Sequence, residues 1–174
     1  YEHNYPMGLI VIEDFGDLSF YNVLLKKKNK LTVYKKLIVL LIKIQKIKPK
    51  KKLRTMFAKS HIVDKYSIKY LHKESDLLFD WYLPLFFNHK KVLSIKLRTK
   101  KILSKLYMRL NFLNLCFVHR DYHVQNLMKV GKKIGVIDSQ DALIGNPAYD
   151  LVSLIDDVRI RTSKKLKDQI YSYY

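Results

Sequence analysis

One stretch constrains this chain more than any other. An apolar run, Cys116-Phe117-Val118, opens onto His119-Arg120-Asp121-Tyr122-His123-Val124-Gln125-Asn126, and a later apolar run ends in Ile137-Asp138, twelve residues beyond Asn126. A strand has to deliver Asp121 into a short loop that ends at Asn126. Leu127–Val130 and Ile134–Ile137, separated by Gly131-Lys132-Lys133, then have to pair as a β-hairpin that brings Asp138 back toward the loop.

The spacing has a chemical reason. It reads H-R-D-x-x-x-x-N followed by a strand ending in Asp, the pattern of a phosphoryl-transfer loop with its metal-binding aspartate. Phosphoryl transfer asks little covalent chemistry of a protein, so a few oxygen groups and their placement carry much of the catalysis. Asp121 is the catalytic candidate: it would accept the hydrogen bond of an acceptor hydroxyl and orient or deprotonate it. Asn126 and Asp138 are the candidates for holding Mg2+, a hard cation that takes oxygen ligands and keeps several waters. Each residue alone reads as a turn or cap residue, and only the joint spacing favours the chemical assignment. His119 is expected to pack beneath the loop and hydrogen-bond to backbone, Arg120 to pair with a carboxylate, and His123 to approach the substrate. Asp141 either extends the acidic site or caps the next turn.

Composition narrows the setting. The chain has 174 residues, 48% of them hydrophobic and 13% aromatic, enough for one folded domain or a little more with a real core. Its one cysteine, Cys116, has no internal disulfide partner and lies in an apolar run, so a buried, chemically quiet thiol is expected. No secretory signal opens the chain, and the apolar stretch Leu37–Ile47 is too short and too interrupted by charge to span a bilayer. These readings favour the cytoplasm. The formal charge of +19 invites a nucleic-acid or membrane reading. Lysine greatly outnumbers arginine and is spread along the whole chain, however, so neither nucleic acid nor membrane is expected as a partner.

Along the chain, Leu9–Ile12 predicts a buried strand, and Ser19 a cap for a short helix to about Leu25. Tyr34, Leu37, Ile38, Leu41 and Ile42 recur at helical spacing, predicting an amphipathic helix from Thr32 to about Ile47. Lys48–Arg54, with Pro49, reads as a basic loop. Further helices are predicted over Ser67–Tyr82, over Ser94–Asn111 with Leu97, Ile102, Leu103, Leu106 and Leu110 on one face, and from Ala148 to about Val158. Lys164–Lys167 reads as compositional bias.

The residues from Val118 to Arg159 resemble the aminoglycoside phosphotransferase-like kinases. Within them they most resemble the bacterial branch that phosphorylates N-acetylmuramate and N-acetylglucosamine at the anomeric hydroxyl. Gly8–Asp17 resembles that branch's strand and hinge, and Tyr66–Leu83 its helix ending in a Trp-Tyr pair. The resemblance implies an α+β fold: the large, C-terminal lobe of a protein-kinase-like molecule, mainly helical, with a small β-ribbon at the catalytic loop. Residues 1–17 would be the last strand of the small lobe and the hinge, and 18–174 the large lobe. The small lobe's glycine-rich loop and phosphate-binding lysine have no counterpart among five unclustered glycines, so the chain is expected to be a fragment, shortened at both ends.

The resemblance further implies ATP and Mg2+ as cofactors and a small-molecule acceptor, an amino sugar of peptidoglycan recycling. Glu13, Asp14 and Phe15 would meet adenine at the hinge, although by residue type they read equally as an acidic turn. Glu74, Trp81 and Tyr82 would meet the sugar, although a Trp-Tyr pair at a helix end also reads as partly buried core. Asp150 would brace the catalytic loop through its backbone. Ser139 departs from the family, which commonly carries Phe after the metal-binding Asp. An aminoglycoside or choline-like acceptor, or a non-catalytic remnant, are the alternatives.

Overall fold

The computed structural model describes residues 2–53, 55, 60–110 and 112–174. Along the chain run β1 (Glu2–Asn4), β2 (Leu9–Val11), α1 (Phe20–Lys26), α2 (Lys30–Gln45), β3 (Lys52–Leu53), β4 (His61–Ile62), α3 (Ile68–Leu77) and α4 (His89–Tyr107). Then come β5 (Cys116–Val118), β6 (Leu127–Val130), β7 (Lys133–Val136), β8 (Leu143–Gly145), α5 (Ala148–Ile155) and α6 (Lys164–Tyr173). The strands form only two-stranded ribbons, β1 with β2, β3 with β4, β5 with β8 and β6 with β7. This mixed, helix-dominated architecture agrees with the α+β expectation. Two units are distinguishable, one of Tyr1–Ile47, Val118–Ala142 and Ala148–Tyr174, the other of Lys48–Phe117 and Leu143–Pro147.

The first unit is organised around α2. Its Val33, Tyr34, Leu37, Ile38 and Leu41 are buried, a stripe at i, i+3/i+4 spacing. Packed on that stripe are Phe20 and Leu24 of α1, Tyr122, Val124 and Leu127, then Leu151, Leu154 and Ile155 of α5 and Ile170 of α6. Each large aliphatic side chain taken out of water here contributes about 1.5–3 kcal/mol. Ser19 caps α1 by accepting from Asn22 N–H at 3.5 Å. The β6–β7 hairpin turns on Gly131 and Lys132. Of these two only Gly131 has a positive φ, 57°, the type II′ pattern that suits a two-residue hairpin.

Three expectations change in this unit. The strand over Leu9–Val11 exists, but Leu9, Ile10 and Val11 are exposed, Ile10 at 62%. Among the described residues it pairs only with β1, and a lone two-stranded ribbon covers neither of its faces. Helix α5 stops at Ile155 instead of Val158. Asp157 there accepts from Arg159 N–H and from its guanidinium, both at 3.0 Å, and this local turn competes with further helix. Lys164–Lys167 is more than compositional bias: it opens α6, which Ser163 caps by accepting from Leu166 N–H at 3.3 Å. The signal was present as a Ser cap with Leu166 and Ile170 one helical turn apart.

In the second unit α3 runs on into a π-helical turn, Leu78–Tyr82, then a 3-10 turn, Leu83–Leu85. Phe79 is buried at the join. Helix α4 starts at His89, five residues before the predicted Ser94, because Asn88 accepts from Lys91 N–H at 2.9 Å and so provides the cap. The predicted end at Asn111 lies outside the described residues. The face turned inward is not the predicted one. Val92 is buried and Ile95, Thr99, Leu103 and Tyr107 are partly so, while Leu97 and Ile102 are 64% and 61% exposed. Beside the inward stripe Lys96 reaches Asp80 at 2.6 Å and Lys100 reaches Asp76 at 2.8 Å. Carboxylates of α3 and the π turn thus select which side of α4 faces them, a choice that apolar spacing alone does not encode.

Candidate active site

The predicted loop is held at both ends and in its middle. Where β5 ends, the buried Asp150 of α5 accepts from His119 N–H at 2.7 Å and from Arg120 N–H at 3.0 Å. Asp150 therefore braces the loop's backbone, as expected. Burial raises its carboxyl above the ordinary range, and the two N–H donors pull it partly back. In the middle, the Tyr122 hydroxyl donates to Leu37 O of α2 at 2.8 Å, and Val124 O accepts from Tyr21 N–H of α1 at 2.9 Å. Burial pushes the Tyr122 phenol far up, so it remains a donor at any physiological pH.

Within that frame the three central residues converge. Asp121 O accepts from His123 N–H at 2.9 Å and from Asn126 Nδ2 at 3.1 Å, and Asn126 N–H donates to His123 O at 3.0 Å. Asn126 O in turn accepts from Ile137 N–H at 3.1 Å, extending the hairpin pairing by one step. Asp138, the next residue, therefore leaves the hairpin beside Asn126. Among the described residues only two non-glycines have positive φ, Arg120 at 76° and Asp138 at 68°. They stand at the two ends of this constellation. Such a conformation costs roughly 1–2 kcal/mol per residue and persists where surrounding structure imposes it, commonly at functional sites.

The donor chemistry suits Mg2+. With Nδ2 committed to Asp121 O, the amide of Asn126 has its oxygen left as a ligand atom, and Asp138 adds an exposed carboxylate. Two hard oxygens are what a Mg2+ site shared with phosphates requires of a protein. Among the described residues no group of three or more His, Cys, Asp or Glu is arranged to hold a metal, so the pair would act together with substrate oxygens and water. The Asp121 carboxylate is half-buried and makes no hydrogen bond among the described residues, which leaves it available to an acceptor.

Several flanking residues differ from expectation. His119 is buried, but among the described residues neither ring nitrogen has a hydrogen-bond partner; the ring meets Tyr122 edge-on, centroids 6.2 Å apart, and the backbone makes the bond instead. His123 is half-buried with Nδ1 unpartnered. Ser139 is exposed, so no buried packing is lost at that position. Gln140, which sequence reasoning passed over, steadies Asp138 instead, its Nε2 donating to Asp138 Oδ1 at 3.0 Å. Asp141 is exposed in a turn closed by Ala142 N–H to Ser139 O at 3.2 Å.

Glu13 and Asp14 are exposed, and Asp14 accepts from Gly16 N–H at 2.7 Å in a local turn. Phe15 packs against Gly135 of β7: a β-carbon there would collide with Phe15 Cδ2, Cε2 and Cγ. Lys129 N–H donates to Leu18 O at 2.8 Å, so this segment and the hairpin below the loop are fastened together. Glu74, Trp81 and Tyr82 belong to the second unit. Glu74 accepts from Tyr66 OH at 2.6 Å, while Trp81 and Tyr82 are 75% and 55% exposed.

Comparison with known proteins identifies the family. A model of the APH phosphotransferase enzyme family matches residues 29–174. An N-acetylmuramate/N-acetylglucosamine kinase of Neisseria meningitidis serogroup B is 25% identical over 173 residues, covering 97% of this chain and 48% of that protein. The enzyme of the same name from Pseudomonas aeruginosa is 29% identical over 150 residues, 86% of this chain and 41% of its own. That from Caulobacter vibrioides is 42% identical over 48 residues, 25% and 13% of the two chains. The chain thus spans about half the length of the first relative and less of the others. No helix among the described residues is long and apolar enough to cross a membrane. With its loop, hairpin and helices matched over residues 29–174, this chain belongs to the phosphotransferase enzyme family.

Proposed function

We propose that this chain carries the catalytic loop of an ATP-dependent small-molecule kinase whose acceptor is an amino sugar of the N-acetylmuramate/N-acetylglucosamine type. The observation that carries this reading is the closed set of bonds joining Asp121, Asn126 and the strand before Asp138, with both ends held in left-handed backbone. The relatives, named as N-acetylmuramate/N-acetylglucosamine kinases, supply the acceptor class.

In this reading Asp121 accepts the hydrogen bond of the sugar hydroxyl and takes its proton as the oxygen bonds to the γ-phosphorus and the bond to the leaving phosphate oxygen breaks. Asn126 Oδ1 and the Asp138 carboxylate would hold Mg2+, which when bound neutralises charge on the phosphates. Residues 1–17 act as the end of a small lobe and its hinge, and residues 18–174 as the large lobe. Glu13, Asp14 and Phe15 then meet the nucleotide, which the seating of Phe15 on Gly135 supports. Trp81 and Tyr82 offer exposed ring faces for the C–H surface of a pyranose, and Glu74 shares the carboxylate that Tyr66 already engages. His123, at the turn of the loop, stands on the acceptor side. Such a kinase belongs to cytoplasmic recycling of cell-wall sugars.

The test is transfer from magnesium-ATP to N-acetylmuramate and N-acetylglucosamine followed by phosphorus NMR, with aminoglycosides and choline as competing acceptors. A sugar 1-phosphate signal is expected, and Asp121→Asn should lower turnover by roughly 100- to 10,000-fold while nucleotide affinity stays nearly intact. Product with choline or an aminoglycoside alone would overturn the acceptor. Unchanged turnover in Asp121→Asn would overturn the mechanism, and failure to bind nucleotide would point to the remnant.

A further inference from the structure

Outside the loop, the first unit contains a groove of about 930 Å3 between α2, the start of α1 and the turn of the β6–β7 hairpin. None of Asp121, Asn126, Asp138 or the segment Glu13–Phe15 lines it. Seven lysines do, among them Lys36 and Lys43 on α2 and Lys129, Lys132 and Lys133 on the hairpin, and no Asp, Glu or Arg joins them. The chain is lysine-rich throughout, so lysine alone means little. What sets the groove apart is that seven lysines gather in one concavity whose lining holds no carboxylate. Ion pairs do not distinguish it, since among the described lysines only Lys96, Lys100 and Lys167 form them, with Asp80, Asp76 and Asp156. Like charges gathered in a concavity with apolar walls focus a positive potential that a partner of opposite sign relieves.

The lining selects among anions. Between the lysines run Val39 and Leu40 of α2, with Val23 and Ile134. Lys36, Val39, Leu40 and Lys43 fall at i, i+3, i+4 and i+7, a single helical face that reads charge, apolar, apolar, charge. Nucleic acid is favoured by Arg forks and stacking rings; here there is no Arg, and the ring of Tyr173 already has the Lys35 ammonium 4.7 Å from its centroid. A concave surface also fits a planar bilayer poorly. We infer that the groove is a docking site for an acidic amphipathic helix of a partner protein, its carboxylates meeting the lysine rims and its apolar stripe meeting Val39, Leu40 and Ile134.

The experiment is fluorescence anisotropy of the 174-residue chain with a fluorescein-labelled, helix-forming peptide carrying leucines at i, i+3, i+4 and i+7 flanked by glutamates. Expected is saturable binding that weakens about tenfold in Lys36→Glu/Lys43→Glu and in Val39→Asp. Binding should remain unchanged in Lys90→Glu/Lys91→Glu, exposed lysines of the second unit that carry the same change of net charge. Circular dichroism and melting confirm that each variant is folded. Equal binding of a scrambled peptide of the same composition, or of single-stranded oligo-uridylate, would overturn the assignment in favour of a general polyanion surface. Absence of peptide binding would overturn it outright.

Discussion

Helices α2 and α4 look alike as text and differ as objects. Both are long, lysine-rich and marked by apolar residues at helical spacing. Helix α2 buries five side chains in its unit, and residues of the candidate loop, Tyr122 and Val124, pack on the same stripe. Helix α4 buries only Val92, turns a partly polar stripe toward α3, and leaves Leu97, Ile102 and Leu106 exposed. Periodicity states that a helix has an apolar side. It does not state whether another element will lie there, because that partner is drawn from elsewhere in the chain. In α2 the partner exists within the unit; in α4 the facing elements offer carboxylates, and Lys96 and Lys100 answer them.

Stability measurements put pressure on that contrast. The largest effect is expected from Leu37→Ala, a fully buried truncation in α2 that should cost about 3–4 kcal/mol by denaturant unfolding. A cost below about 1 kcal/mol would show that the stripe is loosely packed. Asp150→Ala should follow at roughly 2 kcal/mol, since it leaves the N–H groups of His119 and Arg120 without acceptors, and it should reduce turnover by loosening the loop. Gly135→Val should cost about 1–2 kcal/mol by displacing the Phe15 ring, and under the hinge proposal should weaken nucleotide binding more than acceptor binding. Leu97→Ala, on the exposed side of α4, should change stability by less than about 0.5 kcal/mol; a loss comparable to that of Leu37→Ala would mean this face is covered in solution.

The smallest effect concerns pH. Lys100 beside Asp76 holds that carboxyl below the usual carboxylate range, with Lys96 adding to the effect. A depressed folded-state value contributes stability that is fully present above the unfolded value, about 3.9, and is lost as pH falls through the lower folded value. The pair is only partly buried, so solvent screens it in part. Acid titration should therefore show a slightly steeper loss below about pH 4 in the wild type than in Asp76→Asn. Indistinguishable curves would mean that the α3–α4 charge pairs do not stabilise the second unit.

Much of the candidate site was legible because its logic is local. Asp121, Asn126 and Asp138 are separated by a loop and a hairpin whose lengths are set by the chain itself, so their spacing already specifies that they meet. The same holds for the Ser19 cap and the α2 stripe, whereas the Asp150 brace, 31 residues from His119, was implied by the family resemblance and not by spacing. Covalent spacing and side-chain type determined the candidate loop and its oxygen-bearing residues, Asp121, Asn126 and Asp138, and the resemblance carried by those motifs pointed to the family. Tertiary structure alone decided which face of α4 turns inward, that Trp81 and Tyr82 are exposed, that Phe15 rests on Gly135, that Gln140 steadies Asp138, and that seven lysines gather without a carboxylate between them. Those outcomes depend on which distant surfaces meet, and the free energy of such a meeting belongs to both partners at once rather than to either stretch of sequence.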